Sequence, residues 1–159
     1  MIGDAAGPVR VGVLSDTHGR LDPRVAEVFA GVDAIVHAGD VVSLDDLVAL
    51  REIAPVTAVA GNCDIAGELG CVLRGVERLT LAGVSVTVVH DITDLPGWRT
   101  APGLVIHGHT HVAEFAGEPG CMRLNPGSAS RAYGDGPPTV ALLTCEAGEV
   151  SAEVVRLPE

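Results

Sequence analysis

The sequence contains no lysine. Its ten basic residues are all arginines, set against 21 Asp and Glu residues, and the formal net charge is −11. This negative charge repels nucleic-acid phosphates at long range, so we expect no surface that binds duplex DNA or RNA. A small phosphorylated ligand is not excluded, because divalent cations held in a pocket can reverse the local field.

Aromatic residues are also scarce, at 3% of a chain that is 47% hydrophobic, so the core must consist of Val, Leu, Ile and Ala. No apolar run approaches the roughly 18 residues that a membrane-spanning helix requires. No positively charged segment precedes an apolar stretch, as it would in a signal peptide. We therefore expect a cytoplasmic protein with no membrane partner. Its 159 residues fit one domain, 1–159, with a loose leader at 1–8.

The four cysteines, Cys63, Cys71, Cys121 and Cys145, form no CxxC pair and show no disulfide spacing. This absence favours free thiols over a zinc site or a disulfide framework. Cys63 is the exception, because it lies within one of the motifs described below.

The first half of the chain alternates strand and helix patterns. Apolar runs at 9–14, 33–37 and 56–60 predict buried strands. Helical patterns at 23–31 and 44–54 lie between them, and each has a residue suited to the start of a helix. This spacing predicts a βαβαβ unit with a parallel sheet.

The second half contains mainly short strands. They are predicted at 79–81, 84–89, 104–106, 112–115, 122–124, 139–144 and 150–156. Together with the first half, this pattern predicts an α/β fold in which two mixed sheets pack face to face with helices outside, an α/β/β/α sandwich.

Polar residues stand where five of these strands end. They are Asp16, His18, Asp40, Asn62, Asp64, His90, His109 and His111. Ligands bind at the carboxyl ends of strands in open α/β sheets. Carboxylate, amide and imidazole donors suit Mn²⁺, Fe, Zn²⁺, Ni²⁺ or Co²⁺. Residues two apart point to the same side of an extended segment, which groups Asp16 with His18 and His109 with His111. Two cations need a bridging carboxylate, and Asp40 is central enough to provide it.

The glycines next to these residues also fit a crowded site. Gly39, Gly61 and Gly108 permit turn conformations and close backbone approach. We therefore expect the backbone of these loops to lie against the ligands.

Five sequence blocks occur in a fixed order: LSDTHG (14–19), HAGD (37–40), GNCD (61–64), GHTH (108–111) and NPGS (125–128). This order resembles the calcineurin-like metallophosphoesterase superfamily. Within it the chain is most similar to the small bacterial and archaeal phosphodiesterases, which are related to the retromer scaffold subunit. The resemblance covers nearly the whole chain, and the five blocks together are highly specific.

The resemblance implies two divalent metal ions, with Mn²⁺ expected and Ni²⁺, Zn²⁺, Fe or Co²⁺ as alternatives. It implies that one ion is held by Asp16, His18, Asp40 and His111, and the other by Asp40, Asn62, His90 and His109. A bridging hydroxide would then attack the phosphorus of a small phosphate ester. The resemblance also makes Asn62, Asp64 and His90 the expected catalytic residues. The general acid stays open, because Cys63 stands where larger members have a histidine.

Two features depart from the family pattern. Asp91 follows His90, where the family usually has glycine, and only 18 residues separate His90 from His109, where relatives commonly fit a long helix. Two further histidines, His37 and His107, match no ligand position. We expect them to support neighbouring ligands.

The leading interpretation is therefore a metal-dependent phosphodiesterase. The alternative is a protein-binding scaffold that keeps the fold and has lost catalysis. The complete ligand set favours the enzyme. A nuclease is disfavoured by the acidic charge and by the lack of a basic or aromatic track. A homo-oligomer is expected only from the resemblance.

Overall fold

The computed structural model describes residues 7–130 and 136–158, so most of the predicted leader lies outside the described residues. The strands are β1 Val9–Leu14, β2 Ala34–His37, β3 Val56–Ala58, β4 Val76–Leu81, β5 Val84–Val89, β6 Gly103–Ile106, β7 Glu114–Glu118, β8 Cys121–Asn125, β9 Thr139–Glu146 and β10 Glu149–Arg156. The α-helices are α1 Arg24–Val28 and α2 Leu44–Arg51. Short 3₁₀ turns cover Glu68–Cys71, Ile92–Asp94 and Trp98–Thr100. Among the helices described, none has the length and apolar character needed to cross a membrane.

The strands form two five-stranded mixed sheets. The first has the order β10-β9-β1-β2-β3, with β1, β2 and β3 parallel and β9 antiparallel to both of its neighbours. The second has the order β4-β5-β6-β8-β7, with β5, β6 and β8 parallel and antiparallel strands at both edges. The predicted α/β fold with two mixed sheets is confirmed.

The two sheets pack face to face through an aliphatic layer. Val11, Val13 and Val36 of the first sheet belong to one buried cluster with Leu104 and Leu124 of the second. The buried members of this cluster are Val, Leu, Ile and Ala, together with one cysteine. Branched side chains that alternate along each strand fill most of this layer, and Phe115 packs against it as a partly buried ring.

The outer layers of the sandwich differ from each other. On the first sheet, Phe29 and Leu50 of the helical segments pack on Leu14 and Ile35. Gly12 makes room here, because a Cβ at this position would lie 2.7 Å from the Phe29 ring. On the second sheet, two 3₁₀ turns and their flanks provide the cover, since the 18 residues after His90 are too few for a long helix followed by β6.

The strand arrangement brings the motif loops to one edge of the sandwich. The Ala38 N–H donates to the Leu14 carbonyl, so the loops after β1 and β2 begin side by side. In the second sheet, the Gly108 N–H donates to the His90 carbonyl, which joins the segments after β5 and β6. The loops with the predicted ligands therefore leave both sheets at their common carboxyl edge.

Candidate metal centre

Three of the predicted ligands form a first set, which we call the Asp16 group: Asp16, His18 and His111. The Oδ1 atom of Asp16 lies 3.2 Å from His111 Nε2 and 3.7 Å from His18 Nε2. The His18 and His111 rings meet edge to face, with centroids 5.5 Å apart. One oxygen and two imidazoles from the loops after β1 and β6 thus converge on one point.

Three others form a second set, the Asn62 group: Asn62, His90 and His109. The amide oxygen of Asn62 lies 3.0 Å from His90 Nε2 and 3.2 Å from His109 Nδ1. The two imidazoles pack edge to face at 5.1 Å. The loop after β3 therefore meets the segments that follow β5 and β6.

Asp40 lies between the two groups. Its Oδ2 atom is 3.3 Å from His90 Nε2 and 4.0 Å from His18 Nδ1. Its Oδ1 atom accepts the Cys63 N–H at 2.8 Å. Burial opposes ionisation of Asp40, but the hydrogen bonds from His90 and the Cys63 N–H lower its pKa to about 2. Asp40 is therefore an anion that contacts one histidine of each group, as a bridging ligand would.

The cluster has more negative charge than its protein neighbours balance. Asp16 and Asp40 are 0% and 3% exposed, and within residues 7–130 and 136–158 only histidines form ion pairs with them. Oδ1 of Asp16 is buried and accepts no hydrogen bond from the residues described. Buried carboxylates without compensating charge are costly. The oxygen and nitrogen donors therefore fit divalent cations.

The close grouping of donor atoms supports the same fit. Three overlapping sets have their ligand atoms within 4.8 Å of one another: Asp16, His18 and His111; Asp16, Asp40 and His90; and His18, Asp40 and Cys63. Asp16, His18 and Asp40 each belong to two sets, so the sets share donor atoms.

The backbone at the ligands differs from the sequence argument. Asp16, His18, Asp40, His109 and His111 have φ angles of 57°, 49°, 54°, 67° and 60°. They occupy the left-handed region and not the extended conformation that the two-residue spacing assumed. Non-glycine residues rarely adopt this region, and such strain clusters at functional sites. Asp16 and His18 lie close together as the spacing predicted, whereas His109 and His111 face different groups, and the extended backbone assumed for both pairs is not observed.

Hydrogen bonds between loops hold this conformation. The Asp16 N–H donates to the Gly39 carbonyl at 3.0 Å, and the His18 N–H donates to the Asp40 carbonyl at 2.9 Å. His37 adds a side-chain link, because its Nδ1 accepts the Gly39 N–H at 3.2 Å and its Nε2 lies 3.0 Å from Thr17 Oγ1. Burial lowers the pKa of His37 to about 3, with His90 adding to the effect, so the ring is neutral. This geometry agrees with the supporting role expected for His37.

Asp64 does not have the geometry of the predicted catalytic residue. It is 1% exposed, and its carboxylate accepts the N–H groups of Val41, Val42 and Gly61 at 3.2, 2.7 and 2.8 Å. These bonds tie the loop after β3 to the loop after β2. The buried carboxylate has no access to a substrate, so its part in the site is to position Asp40 and Asn62 through the backbone. A useful sequence signal was the tight GNCD turn, in which Asp64 bonds back to Gly61.

His90 is oriented by its second ring nitrogen. Nδ1 lies 2.7 Å from the Ala38 carbonyl, which can only accept, so Nδ1 carries the proton and Nε2 faces Asn62 and Asp40. Burial disfavours the charged ring, but the hydrogen bond to Asp40 and the charge of Asp16 raise the pKa of His90. This is the ring orientation of a metal ligand.

Several other residues shape the site without belonging to either group. Ser15, which the sequence did not single out, donates its hydroxyl to Asp16 Oδ2 at 2.6 Å. Asn125 of the NPGS block donates to the Gly108 carbonyl at 3.1 Å, and Ser128 donates to the Asp16 carbonyl at 3.1 Å. Through these bonds the NPGS block shapes the loops next to the ligands. His107 is buried beside a different cavity, on the outer face of the second sheet.

A cavity of about 380 Å³ opens next to the Asn62 group. It is lined by the three residues of that group, by apolar side chains including Ile65, Leu73 and Val76, and by Asp91 and Asp94. The cavity therefore presents an apolar and acidic wall next to the ligand cluster.

The fold and motifs have known counterparts. Residues 9–148 match the family described as the calcineurin-like phosphoesterase superfamily domain. A protein of Methanocaldococcus jannaschii, named a probable metallophosphoesterase, is 31% identical over 137 residues, covering 77% of this chain and 69% of that protein. The structure of an archaeal phosphodiesterase is 25% identical with a TM-score of 0.76, covering 92% of this chain and all of that one. Vps29 of Entamoeba histolytica complexed with Zn²⁺ is 23% identical with a TM-score of 0.68, covering 94% and 100%.

Proposed function

Because the chain belongs to the calcineurin-like phosphoesterase superfamily, a metal-dependent family, we propose that it is a phosphodiesterase that cleaves a small phosphate ester with two divalent cations. We further propose that the chain is a single domain whose site lies at the common edge of both sheets. The observation that supports this function best is the position of Asp40, a buried carboxylate in contact with one histidine of each ligand group.

The proposed ligand assignment follows the two groups. Asp16, His18, His111 and Asp40 would hold one cation, and Asn62, His90, His109 and Asp40 the other. When bound, two adjacent cations lower the pKa of a water and neutralise phosphate oxygens. Mn²⁺ is the cation we propose, since oxygen and imidazole donors of this kind suit it.

The residues of the chain have the following roles in this proposal. Asp40 keeps the two ligand groups in register, while Asp64 and His37 hold the loops that carry them. Asn62 and His90 form the wall between the ligand cluster and the cavity. The cavity holds the alcohol portion of the ester next to them and limits its size.

The leaving group receives little help from Cys63. In the cation-free protein, partial burial of the thiol, together with the nearby Asp40 and Asp64 carboxylates, raises its pKa to about 11. A thiol with this pKa is a weak proton donor near neutral pH. We therefore propose that esters of acidic alcohols, which leave without protonation, are cleaved fastest.

The test is metal-dependent hydrolysis of bis(p-nitrophenyl) phosphate by metal-stripped protein to which Mn²⁺ is returned. Asp40→Asn should lower kcat at least about 100-fold. Loss of a residue that only supports a ligand costs up to about 100-fold, and Asp40 is proposed as a ligand of both cations. Asp45→Asn makes the same chemical change at an exposed position on α2 and should keep the wild-type rate. Absence of Mn²⁺-stimulated turnover in the wild type, or equal rates for the two variants, would refute the proposal.

The second candidate is a protein-binding scaffold of the same fold. Large apolar side chains at Ile65, Val72 and Val112 are 72%, 66% and 64% exposed, which is compatible with a protein partner. Complete binding of Mn²⁺ without turnover of any phosphate ester in a broad panel would favour this candidate over the enzyme.

A further inference from the structure

Asp91 occupies the position directly after His90. Its side chain begins the Ile92–Asp94 turn, because Oδ1 accepts both the N–H and the hydroxyl of Thr93 at 2.9 and 2.7 Å. These two hydrogen bonds from Thr93 hold the Asp91 carboxylate in place. The other oxygen, Oδ2, faces His109 Nε2 at 3.7 Å.

The His109 ring therefore stands between two oxygen atoms. Its Nδ1 lies 3.2 Å from Asn62 Oδ1, and its Nε2 faces Asp91. A neutral imidazole carries one proton, and the Asn62 amide oxygen next to Nδ1 competes for it with the Asp91 carboxylate next to Nε2. The negative charge of the carboxylate favours the proton on Nε2, although the neutral amide oxygen is nearer. The lone pair of Nδ1 is then directed to the side of Asn62. In His90, too, one ring nitrogen holds the proton and the other faces Asn62. Its Nδ1 is hydrogen-bonded to the Ala38 carbonyl, and its Nε2 faces the Asn62 side chain.

His109 needs such an orienting partner more than the other three histidines. Its side chain is 44% exposed, whereas those of His18, His90 and His111 are 8%, 6% and 16% exposed. Packing restrains an imidazole less at that exposure, and a 180° flip of the ring would move Nδ1 away from Asn62.

We propose that Asp91 is a positioning residue that holds His109 as the Nε2–H tautomer, so that Nδ1 and Asn62 Oδ1 bind the same cation. This inference rests on the proposed metal centre. It assigns Asp91 a role that a glycine at this position cannot perform, and it makes the affinity of the Asn62 group depend on a carboxylate that is not itself a ligand.

The informative variant is Asp91→Asn. Its amide oxygen can still accept from Thr93, and its NH₂ group then faces His109 Nε2 as a donor, which shifts the ring proton to Nδ1. Asp91→Glu restores a carboxylate near Nε2. Asp94→Asn is the matched control, because Asp94 lines the same cavity and its loss removes the same charge.

Two measurements test the proposal. Long-range ¹H–¹⁵N correlation spectra of the metal-free protein should show His109 as the Nε2–H tautomer in the wild type and in Asp94→Asn, and as Nδ1–H in Asp91→Asn. Calorimetric titration with Mn²⁺ should show one of two binding steps weakened about 10–100-fold in Asp91→Asn, as loss of an outer partner of a ligand predicts. The other step should stay within about 3-fold, and Asp91→Glu should recover part of the loss.

The outcomes separate this inference from the proposed function. An unchanged tautomer in Asp91→Asn, equal weakening of both steps, or the same loss in Asp94→Asn would overturn the role of Asp91 while leaving the metal centre standing. A wild-type protein that binds no Mn²⁺ would overturn both, even if the tautomer were as expected.

Discussion

His37 is expected to make the protein less stable as the pH falls. The ring is fully buried between the loops after β1 and β2, where it accepts the Gly39 N–H and contacts the Thr17 hydroxyl. Burial lowers its pKa from 6.5 to about 3. The folded protein therefore keeps His37 neutral at pH values where the unfolded chain protonates it.

The sign and size of the effect follow from this difference. Since the folded pKa is the lower one, the unfolded state binds more protons between the two values, and stability declines as the pH drops below about 6.5. Each pH unit in this window changes the unfolding free energy by about 1.4 kcal/mol. Acidification from about pH 7 to about pH 5 should thus remove about 2 kcal/mol through His37 alone. His90, whose pKa is raised, acts in the opposite direction only above this window.

Urea unfolding followed by circular dichroism in the presence of EDTA measures this effect without bound cations. His37→Asn keeps an acceptor for the Gly39 N–H but cannot be protonated. The variant starts from a lower stability, and between about pH 7 and about pH 5 it should lose about 2 kcal/mol less than the wild type. Parallel losses in the two proteins would show that His37 is not held neutral in the folded state, and the reasoning would be refuted.

Three further predictions concern packing, loop structure and catalysis. Gly12→Ala should lower the unfolding free energy in urea by about 1–3 kcal/mol, because the new Cβ would lie 2.7 Å from the buried Phe29 ring. Gly75→Ala is the control and should have little effect, because open space surrounds Gly75. Equal effects of the two substitutions would contradict the packing. Asp64→Asn should cost about 2–4 kcal/mol because three backbone N–H groups lose a charged acceptor, against less than about 1 kcal/mol for Asp33→Asn, which loses one exposed bond. Cys63→Ala should leave kcat within about 3-fold and its pH profile unchanged, because the thiol is not a proton donor; a loss above about 10-fold would show that it is.

The positions of the strands were largely predictable, because hydrophobic periodicity and turn residues are local signals. The predicted bounds of β1 and β5 agree with the structure, and the polar residues after them lie at the shared edge. The helices were less predictable. The helical pattern at 44–54 extends beyond Arg51, where α2 ends. The helix stops there because Pro55 and the start of β3 leave the remaining residues no room to continue it.

The strand predicted at 112–115 shows a different limit. The structure places β7 at Glu114–Glu118, in antiparallel register with β8 across the turn at Gly120. Apolar character at Val112 suggested an earlier start, but pairing with β8 determines where β7 begins. Val112 is instead 64% exposed in the loop after the GHTH block. Pairing partners distant in sequence are not visible in a local pattern.

The family resemblance placed Asp64 among the expected catalytic residues. The sequence did not reveal that its carboxylate already accepts hydrogen bonds from backbone N–H groups of two loops. Two of those groups belong to Val41 and Val42, more than 20 positions earlier in the chain. The distinction between a residue that contacts a substrate and one that holds a loop therefore depended on tertiary hydrogen bonds.

The glycines of the motifs explain how a strained backbone persists at the ligands. Sequence reasoning gave the unusual turn conformations to Gly39, Gly61 and Gly108, yet only Gly39 among them has a positive φ, and the strain lies largely on the ligands themselves. What the glycines provide is contact: a Cβ at Gly61 would overlap the Asp40 carboxylate, and one at Gly108 would overlap Ser15 Oγ. The Gly61 backbone therefore lies directly against Asp40, and the Gly108 backbone lies against Ser15 and Asp16. The Gly61 backbone and the Cys63 N–H contact the carboxylate of the left-handed Asp40, and these contacts direct it to the point between both ligand groups.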